Sequence, residues 1–505
     1  MSNSNIVGVT MADYAQVGPV AFGGGNFDFS TPEDLAYLSK AMEAGSITGR
    51  ETANLTTASA APLKFESLEK NLKTVTFKET DIVFWKRLPK TPAFNTVEEY
   101  NQLSSYGNLR GGFNNEGELP ENEDSVYIRR SQLVKFLGVT REVTHPAMLV
   151  SVQAGPLIQR ETKNGMMWIL RAANKALTFG DSALVPQEFN GFYAQHKSQF
   201  ATIQDYLSSS VVIDLRGESM TEGYLEDGAN IIAENYGDPD LIMGPPRILS
   251  DFTKNFYGNK FIPLGMPNTI SGTVEVGQDV SAFRTPFGRL EIGYDKFMYT
   301  DPPRTTTSSP THPTKAPNTP ITGSLAIIAS APNTKFGDSA GDYFYAVSAK
   351  NRYGESALLS LNGTLQAVAT TDAVNLIFSS GGGSYPATCF VIYRSKKNPG
   401  TSLANTKFYP LFTVSVDEKA AGYDGAAAGI VRDNNNFLPD TNQCLMTESS
   451  DEVLGFKQLA PLQKMDLAVL SPSQRFMILL YGTPQLFAPL KFVRFINVGR
   501  TVGNP

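Results

Sequence analysis

Three histidines are the residues of this sequence whose chemistry most readily supports catalysis or metal binding. His145 stands three residues after Glu142, but the pattern predicts a strand end before Pro146 there, and no second histidine lies near in the sequence. His196 follows a turn-like segment, and His312 lies in a proline-rich stretch. We therefore expect each histidine to serve packing or the surface, and we predict neither a metal site nor a catalytic site.

The densest group of carboxylates lies in residues 107–130, "GNLRGGFNNEGELPENEDSVYIRR", which hold five carboxylates and four glycines. Calcium loops need oxygen ligands in a set alternating order, and this stretch lacks that order. The glycine run Gly23–Gly25 is likewise not followed by the lysine and hydroxyl residue of a phosphate-binding loop. The carboxylates are therefore more typical of a solvated surface than of an ion site.

Composition excludes further classes of protein. The chain has 505 residues, 41% of them hydrophobic, and a formal net charge of -6, so it lacks the positive field of a dedicated nucleic-acid-binding protein. Its two cysteines, Cys389 and Cys444, favour neither a disulfide framework nor a CxxC metal site. The first residues lack the pattern of a secretion signal, and no apolar run reaches the ~18 residues of a membrane span. We expect a soluble protein of about three domains that is not exported by the usual route.

The elements that would position these residues begin with an extended arm over residues 1–75, which includes one short predicted helix capped by Thr31. The alternation around Trp85 in "KNLKTVTFKETDIVFWKRLPKTPAF" predicts a strand. A second strand is predicted in "VYIRRSQLVKFLGVTREVT". We expect the two to form a long hairpin that carries the acidic stretch at its tip.

A long helix is predicted between Pro156 and Gly180, because proline suits a first helical turn and glycine a helix end. Gly165 inside it costs about 1 kcal/mol relative to alanine, which indicates a kink or the close approach of another element. The segments "MTEGYLEDGANIIAENYG", "DLIM" and "PPRILSDFTKNFYG" then predict helix, strand and helix, and "TPFGRLEIGYDKFMYT" predicts a strand pair that turns near Gly288. Together they indicate a mixed α/β layer.

The composition of the chain and its pattern of apolar residues change after residue 300. Residues 301–320 carry six prolines and are predicted to form an extended linker rather than folded chain. Short alternating runs follow over residues 321–437 and predict a β-sandwich that resembles fibronectin type III and immunoglobulin-like modules, whose strands read like "YAVSAKNRYGES" and "FVIYRSK". The C-terminal "SQRFMILLYGTPQLFAPLKFVRFINVG" predicts two strands broken by Pro484 and Pro489.

Taken in order, these pieces resemble the major capsid proteins of tailed bacteriophages, which have the Hong Kong 97-type fold. "NKALTFGDSALVPQEFNGF" is similar to the exit of that family's spine helix, "GDPDLIMGPP" to its axial domain, and "TPFGRLEIGYDKFM" to its later strands. The resemblance covers about residues 60–300 and 440–505 and implies an α+β fold. Its segments would be an arm (1–75), an extended hairpin loop (76–140), a peripheral domain with the spine helix (141–204), an axial domain (205–300), the linker (301–320), the inserted sandwich (321–437) and a return to the core (438–505).

The resemblance implies a structural subunit, not an enzyme, that assembles in the host cytoplasm into the icosahedral shell of a virion. The shell would consist of hexamers and pentamers and enclose double-stranded DNA, with the sandwich displayed on its outer surface. The implied partners are other copies of the chain, scaffold, portal and cement proteins, and packaged DNA bound without sequence specificity. No cofactor and no membrane is implied.

On this resemblance, the acidic stretch is the tip of a loop that lies across an adjacent subunit. Four charged residues of the tip are expected to pair with charges of the neighbour, namely Arg110, Glu116, Glu118 and Glu121. Two apolar residues, Phe113 and Leu119, are expected to anchor the tip. Two other classes stay open from the residues alone. Another virion or cell-surface adhesion protein would fit the sandwich and the linker, although an export signal would then be expected. A hydrolase with an accessory sandwich would need a carboxylate pair that no local spacing supports.

Overall fold

A computed structural model describes residues 75–107, 112–149, 156–199, 211–259, 282–299, 301–469 and 471–499. All of them belong to the unit Thr74–Pro505. The helix expected after Thr31 and the glycine run Gly23–Gly25 lie outside the described residues.

Strands make up most of the regular structure. In chain order they are β1 (Lys90–Pro92), β2 (Val97–Ser105), β3 (Val126–Leu133), β4 (Lys135–Thr144), β5 (Val212–Asp214), β6 (Leu241–Gly244), β7 (Ala282–Thr285), β8 (Gly288–Tyr294), β9 (Ile321–Ile328), β10 (Gly341–Tyr343), β11 (Tyr345–Lys350), β12 (Leu359–Ser360), β13 (Gln366–Val368), β14 (Ala373–Ser379), β15 (Cys389–Arg394), β16 (Tyr409–Ser415), β17 (Val431–Asp433), β18 (Asn442–Thr447), β19 (Leu454–Asp466), β20 (Ser473–Leu486) and β21 (Phe492–Val498).

Helices are fewer. The described α-helices span Phe84–Arg87, His145–Leu149, Leu157–Phe179, Phe192–Gln199, Glu222–Glu234, Pro246–Asn259 and Val416–Ala421. Short 3-10 helices span Glu79–Asp81, Gly337–Ser339, Leu403–Asn405 and Pro489–Lys491. None of the described helices is long and apolar enough to cross a membrane.

Two sheets form the body of the unit. The first has the order β1-β19-β20-β4, and the second has six strands in the order β5-β21-β18-β6-β8-β7. One cluster of buried side chains connects them, since it contains Ile169 of the helix Leu157–Phe179, Phe456 of β19 and Phe492 of β21. The two sheets and this helix therefore share one apolar core.

The helix Leu157–Phe179, called the spine helix below, was predicted closely. Pro156 precedes its first turn, and the N–H of Gly180 closes its last turn on the carbonyl of Ala176 at 2.8 Å. Gly165 marks a close approach, because a Cβ added there would lie 2.5 Å from Cδ1 of Ile478 on β20. The missing side chain therefore lets the helix lie directly on the sheet.

The strand predicted around Trp85 is wrong. Phe84 and Trp85 are both buried and lie on the short helix Phe84–Arg87, whereas a half-buried strand would place consecutive side chains on opposite faces. The N–H of Phe84 donates to Oδ2 of Asp295 at 2.9 Å, and that of Trp85 donates to Oδ1 of Asn174 at 2.8 Å. These side-chain acceptors replace the backbone partners that a strand would need. The first strand of the hairpin is β2, further along the chain.

Pro484 does not break the C-terminal strand, contrary to expectation. β20 runs through it, and Pro484 lies opposite Phe456 of β19. On the other side, the pairing of β20 with β4 ends at Gly482, so Pro484 needs no N–H toward that side. The chain leaves the strand only before the 3-10 turn Pro489–Lys491.

Residues 321–437 contain two larger antiparallel sheets, β12-β11-β15-β16 and β17-β14-β9, that share an apolar core, and a small two-stranded sheet, β10-β13. Tyr343, Tyr345 and Val347 point into that core. The alternate side chains Phe344 and Ala346 are also buried, in a second cluster on the other face of β11. The likeness of this sandwich to immunoglobulin-like modules stays a prediction, as do the segment boundaries drawn from the sequence.

The proline-rich segment 301–320 is not the extended linker that was expected: it contains turns, such as Thr305–Ser308, and it is bound to the sandwich. The N–H of Arg304 donates to the carbonyl of Phe408 at 2.9 Å, and the N–H of Thr311 donates to the carbonyl of Glu355 at 2.9 Å. The Arg304 guanidinium lies 2.8 Å from the Glu355 carboxylate, which also accepts a 2.7 Å hydrogen bond from the Tyr393 hydroxyl. These contacts hold the segment because they satisfy polar groups that would otherwise be buried alone.

An extended hairpin, a spine helix, a mixed α/β layer and closing strands therefore follow one another along the described chain. The expected α+β class is confirmed, and the elements follow the order on which the resemblance was based.

Candidate subunit interface

The hairpin formed by β2 and β3 is held along the middle of β2 by side chains that reach the end of β20 and the residue after it. The Tyr100 hydroxyl donates to the carbonyl of Leu486 at 3.1 Å and accepts from Nε2 of Gln199 at 3.0 Å. Nε2 of Gln102 donates to the carbonyl of Phe487 at 2.6 Å. Burial raises the pKa of Tyr100, so its hydroxyl stays protonated and able to donate. The direction of the hairpin is therefore set by the body.

The outer face of the hairpin is not covered by the rest of the described chain. The antiparallel register pairs Val97 with Leu133 and Leu103 with Tyr127, and all four side chains are exposed. Between these two apolar pairs, Arg129 lies 3.5 Å from the carboxylate of Glu99. A two-stranded sheet of this kind is marginally stable by itself in water. Covering this face would therefore stabilise the hairpin.

The hairpin tip, residues 112–125, has neither helix nor strand, and every one of its residues is exposed. A single turn orders its centre, in which the N–H of Glu118 donates to the carbonyl of Asn115 at 3.1 Å. Gly117 is the third residue of that turn and has a φ of +87°, a conformation that favours glycine. The tip carries five carboxylates and no lysine or arginine, a formal charge of −5.

The structure places five of the six predicted site residues on this tip. Phe113 is fully exposed and Leu119 is 88% exposed. Glu118 accepts a hydrogen bond of 2.8 Å from the Asn115 side chain, and Glu116 and Glu121 lie on either side of it along the chain, both exposed. Arg110 lies outside the described residues. The pairing of these residues with a neighbour stays a prediction.

Sequence reasoning missed a second surface, on the exposed side of the spine helix. Its members are four basic residues and one tryptophan, and we call it the spine face: Arg160, Lys163, Trp168, Arg171 and Lys175. Trp168 is 45% exposed, although it lies on the helix that forms the core. The signal available in the sequence was a tryptophan three residues before Arg171 and seven before Lys175, which places all three on one side of a helix.

A groove of about 400 Å³ opens beside Trp168, between the spine helix, Tyr299 and Lys350 of the sandwich. The ammonium group of Lys175 pairs with Asp301 and lies 5.6 Å from the centre of the Tyr299 ring. Burial would raise the pKa of Asp301, but the positive charge of Lys175 outweighs it and the pKa is lowered. The groove thus combines aromatic rings with fixed positive charge.

The sandwich is joined to the body by a buried polar network. Arg394 is fully buried; it donates to Oδ2 of Asp433 at 2.8 Å and to Oδ1 of Asn435 at 2.7 Å. From the body, Arg216 donates to the carbonyl of Asn435 at 2.8 Å. The guanidinium of Arg394 also lies over the ring of Tyr343, 4.8 Å from its centre. Hydrogen bonds of Arg216 therefore connect the body to the part of the sandwich that Arg394 holds.

The histidines are placed as packing and turn residues. His196 is buried, 5.4 Å from the ring centre of Phe492, and burial, aided by the positive charge of Arg494, lowers its pKa to about 4. His145 opens the helix His145–Leu149, and Nδ1 of His312 accepts two backbone N–H groups of its own turn. Cys389 and Cys444 are free and buried. Across the part of the chain that the structure describes, no group of three or more metal-binding side chains is assembled.

Comparison with known sequences gives a consistent result. A family model described as "SU10 major capsid protein" matches residues 46–308. The major capsid proteins of Staphylococcus phages S25-3 and K are each 24% identical to the chain over 447 residues, which is 87% of this chain and 90% of each relative.

Solved structures with a related arrangement include the capsid of an empty GTA particle, with 7% identity and a TM-score of 0.45 over 88% of this chain and 98% of that one. The holo-SrpI encapsulin complex of Synechococcus elongatus PCC 7942 has 8% identity and a TM-score of 0.40 over 89% of this chain and 98% of that one.

Proposed function

We propose, since the chain belongs to the SU10 major capsid protein family and is a subunit of a phage capsid shell, that its hairpin tip holds the neighbouring subunit. Membership in the family favours this function over the adhesin and the hydrolase considered from the sequence. One observation carries the proposal: a fully exposed, acidic tip stands at the end of a hairpin whose strand β2 is fixed to the body.

The part of the hairpin that is free to reach another subunit is its tip. β2 has nine residues, and it is bound to the body as far along as Gln102, three residues before its end. The described residues of the tip, by contrast, are all exposed. Because β2 is already fixed, it loses little conformational freedom when the tip binds, which favours association.

Each contact at the tip would be weak. An exposed ion pair of Glu116, Glu118 or Glu121 contributes about 0–1 kcal/mol. Full burial of Phe113 or Leu119 contributes about 1.5–3 kcal/mol each. Repetition over all subunits of a shell makes such contacts sufficient, while a single misplaced subunit can still dissociate.

The same proposal extends to the form of the shell. A tip that contacts a different surface of the next subunit is a heterologous contact, which closes into rings such as hexamers and pentamers and so supports an icosahedral shell. The formal net charge of -6 supports weak, non-specific contact with packaged double-stranded DNA. We further propose a non-enzymatic role, the sandwich on the outer surface, and scaffold, portal and cement proteins as partners.

Deletion of Asn108–Asp124 tests the proposal. We expect a folded subunit that no longer forms shells, because the deletion removes only the tip and leaves β2 and β3. Assembly is measured by sedimentation, and the fast fraction is viewed by negative-stain electron microscopy. Normal shells from this deletion would refute the role of the tip.

Point variants separate the charges from the anchors. Phe113→Ser with Leu119→Ser removes the apolar contacts, and Glu118→Gln with Glu121→Gln removes two charges. We expect the first pair to reduce the shell fraction more than the second. The matched control is Glu226→Gln with Asp227→Asn, which removes two exposed carboxylates from the helix Glu222–Glu234. The control variant should assemble normally.

A further inference from the structure

We infer that the junction between the sandwich and the body contains a binding site for a small tetrahedral oxyanion of the phosphate class. The site is a cavity of about 180 Å³ between the turn after β5, the end of β15 and the connection that leads into β18. Three basic side chains line it, those of Arg216, Arg394 and Lys397. This site is separate from the hairpin tip and does not depend on the role proposed for the tip.

Arg394 supplies the donor that most needs a ligand. Its side chain is fully buried, and its guanidinium lies 5.3 Å and 4.8 Å from the ring centres of Phe336 and Tyr343. Its two terminal nitrogens donate to Asp433 and Asn435. Its Nε–H has no hydrogen-bond partner within the part of the chain that the structure describes. A buried donor without an acceptor lowers stability, so an acceptor in the cavity would complete a guanidinium that is already fixed in place.

The charge of the lining favours an anion. Its three cations are accompanied by one carboxylate, that of Glu218. Glu218 is exposed, and its carboxylate accepts a hydrogen bond from the hydroxyl of Tyr224. An anion in the cavity would therefore meet an excess of positive charge in a partly desolvated place, where charge-assisted hydrogen bonds are strong.

Two further carboxylates of the junction are balanced by cations that do not line the cavity. The carboxylate of Asp214 lies 3.4 Å from the ammonium group of Lys335. Asp440 stands between two lining residues in the sequence, and its carboxylate lies 3.0 Å from Lys396 and 3.4 Å from Arg247. Neither carboxylate therefore removes the excess positive charge of the lining.

The backbone holds Arg216 in a conformation that is uncommon for a residue with a side chain. Arg216 has a φ of +50°, and Asn435, whose carbonyl accepts from it at 2.8 Å, has a φ of +60°. A second nitrogen of Arg216 donates to the carbonyl of Lys335 at 2.5 Å. Strained positions of this kind cluster at ligand sites, because surrounding contacts must hold them. Here the strain places a cation of the body beside a cavity of the sandwich.

Space and access select a small ion. A water molecule takes about 30 Å³ in the liquid, so a cavity of about 180 Å³ accommodates an ion of phosphate size with a few waters. Arg216 and Lys397 are partly exposed, which leaves a path from solvent. Ser339 also lines the cavity and offers a hydroxyl donor. A tetrahedral oxyanion accepts hydrogen bonds from several directions, and it would connect Arg216 of the body with donors of the sandwich.

Inorganic phosphate tests the inference on the full-length, unassembled subunit, with chloride exchanged for phosphate at constant ionic strength. We expect the thermal midpoint of the sandwich in calorimetry to rise with phosphate and then to level off, as it does when a ligand fills a site of the folded state. Phosphate also stabilises proteins by exclusion from their surface, and that effect does not level off at low concentration. An unchanged midpoint, or a rise without saturation, would mean that only water enters the cavity and would overturn the inference.

Variants separate the site from the general effect of phosphate. Lys397→Gln removes one cation of the lining and should abolish the saturable rise. The matched control is Lys407→Gln, which removes an exposed lysine of the sandwich outside the cavity and should keep the rise. Arg394→Lys keeps the charge but lacks the Nε donor, and it should also lose the rise. If Arg394→Lys does not fold, Lys397→Gln still decides, and an equal response of Lys397→Gln and the control would refute the site.

Hydrogen exchange locates the bound ion. Phosphate should slow exchange in peptides that cover residues 214–218, 394–398 and 434–441, which contain lining residues of the body and of the sandwich. The same slowing is expected in Lys407→Gln and not in Lys397→Gln. Slowing that is spread evenly over the chain, or confined to other segments, would place the anion elsewhere and contradict the inference.

A phosphate ester distinguishes a free ion from the end group of a larger molecule. Adenosine monophosphate carries the same phosphoryl group, but its nucleoside has no room in the cavity beside that group. We expect inorganic phosphate to produce the saturable rise and adenosine monophosphate to produce none at the same concentration. A response to adenosine monophosphate as strong as that to inorganic phosphate would overturn the assignment to a free oxyanion.

Discussion

Gly165 offers the sharpest test of how the spine helix rests on its sheet. Replacement by alanine should gain about 1 kcal/mol from helix propensity. The new Cβ would, however, lie 2.5 Å from Cδ1 of Ile478 and 3.6 Å from Cγ1 of Val139. Ile478 is fully buried and cannot move aside, so overpacking should cost about 1–3 kcal/mol. We expect Gly165→Ala to destabilise the subunit by about 0–2 kcal/mol, the difference of these two terms.

The second variant removes the obstructing atom. Ile478→Val by itself should cost about 0.5–1.5 kcal/mol, since it leaves a small cavity. In that background the alanine methyl group fills the space left by Cδ1, and the gain in helix propensity is no longer offset. The double variant should therefore be more stable than the sum of the single changes predicts, by about 1–3 kcal/mol.

Denaturant unfolding of the unassembled, full-length subunit measures these differences. The two tryptophans of the chain, Trp85 and Trp168, both lie in the body, so their fluorescence reports the body and not the sandwich. Gly223→Ala is the matched control, because its Cβ would meet nothing closer than Oγ1 of Thr221 at 3.9 Å. It should leave stability unchanged or raise it slightly. Additive effects of Gly165→Ala and Ile478→Val would refute the proposed close packing.

Three further predictions follow from buried polar groups. Arg394→Met leaves the carboxylate of Asp433 buried without its main partner, and should lower the free energy of unfolding of the sandwich by about 3–5 kcal/mol in calorimetry. The folded-state pKa of His196, about 4, lies below its ordinary value of 6.5, so the stability it contributes is full above pH 6.5 and is lost as the pH falls toward 4. His196→Leu should flatten this pH dependence of the denaturant midpoint between pH 7 and 4, whatever its effect on stability at neutral pH. An unchanged dependence would contradict the assignment of the acid sensitivity to His196. Gln102→Ala leaves the Phe487 carbonyl without its donor and should cost about 1–3 kcal/mol, seen as faster hydrogen exchange in β2 of a folded subunit.

The spine helix shows which parts of this fold a sequence can predict. Its limits were predicted to within one residue, because Pro156 and Gly180 act locally through backbone geometry. Gly165 could also be interpreted, since a glycine inside a long helix costs free energy that packing must repay. The acidic tip was predicted as exposed from composition alone, because five carboxylates within nine residues cannot all be buried.

Errors arose where the deciding partner lies far away in the sequence. Trp85 lies on a helix because Asn174 and Asp295 accept the N–H groups of that turn, and alternation in the local sequence carries no trace of either. Pro484 continues a strand because the pairing of β20 with β4 stops at Gly482, opposite the first residue of β4, and this depends on pairing between distant segments. The spine face was missed because the sequence does not show which side of a core helix the distant elements leave uncovered, and a tryptophan on such a helix is ordinarily largely buried.

The position of the insertion explains how the fold tolerates a sandwich of more than a hundred residues. The chain leaves the body after β8 and returns in β18, and these two strands lie on either side of β6 in the six-stranded sheet. Tyr294, near the exit, and Cys444, near the return, both lie beside Gly244 of β6. Two strand spacings separate them, about 10 Å, so a short turn would close the gap as well as a whole domain does. The insertion therefore costs the sheet no hydrogen bonds, and the contacts of Arg216 with the sandwich fix an orientation that the connections alone would leave free.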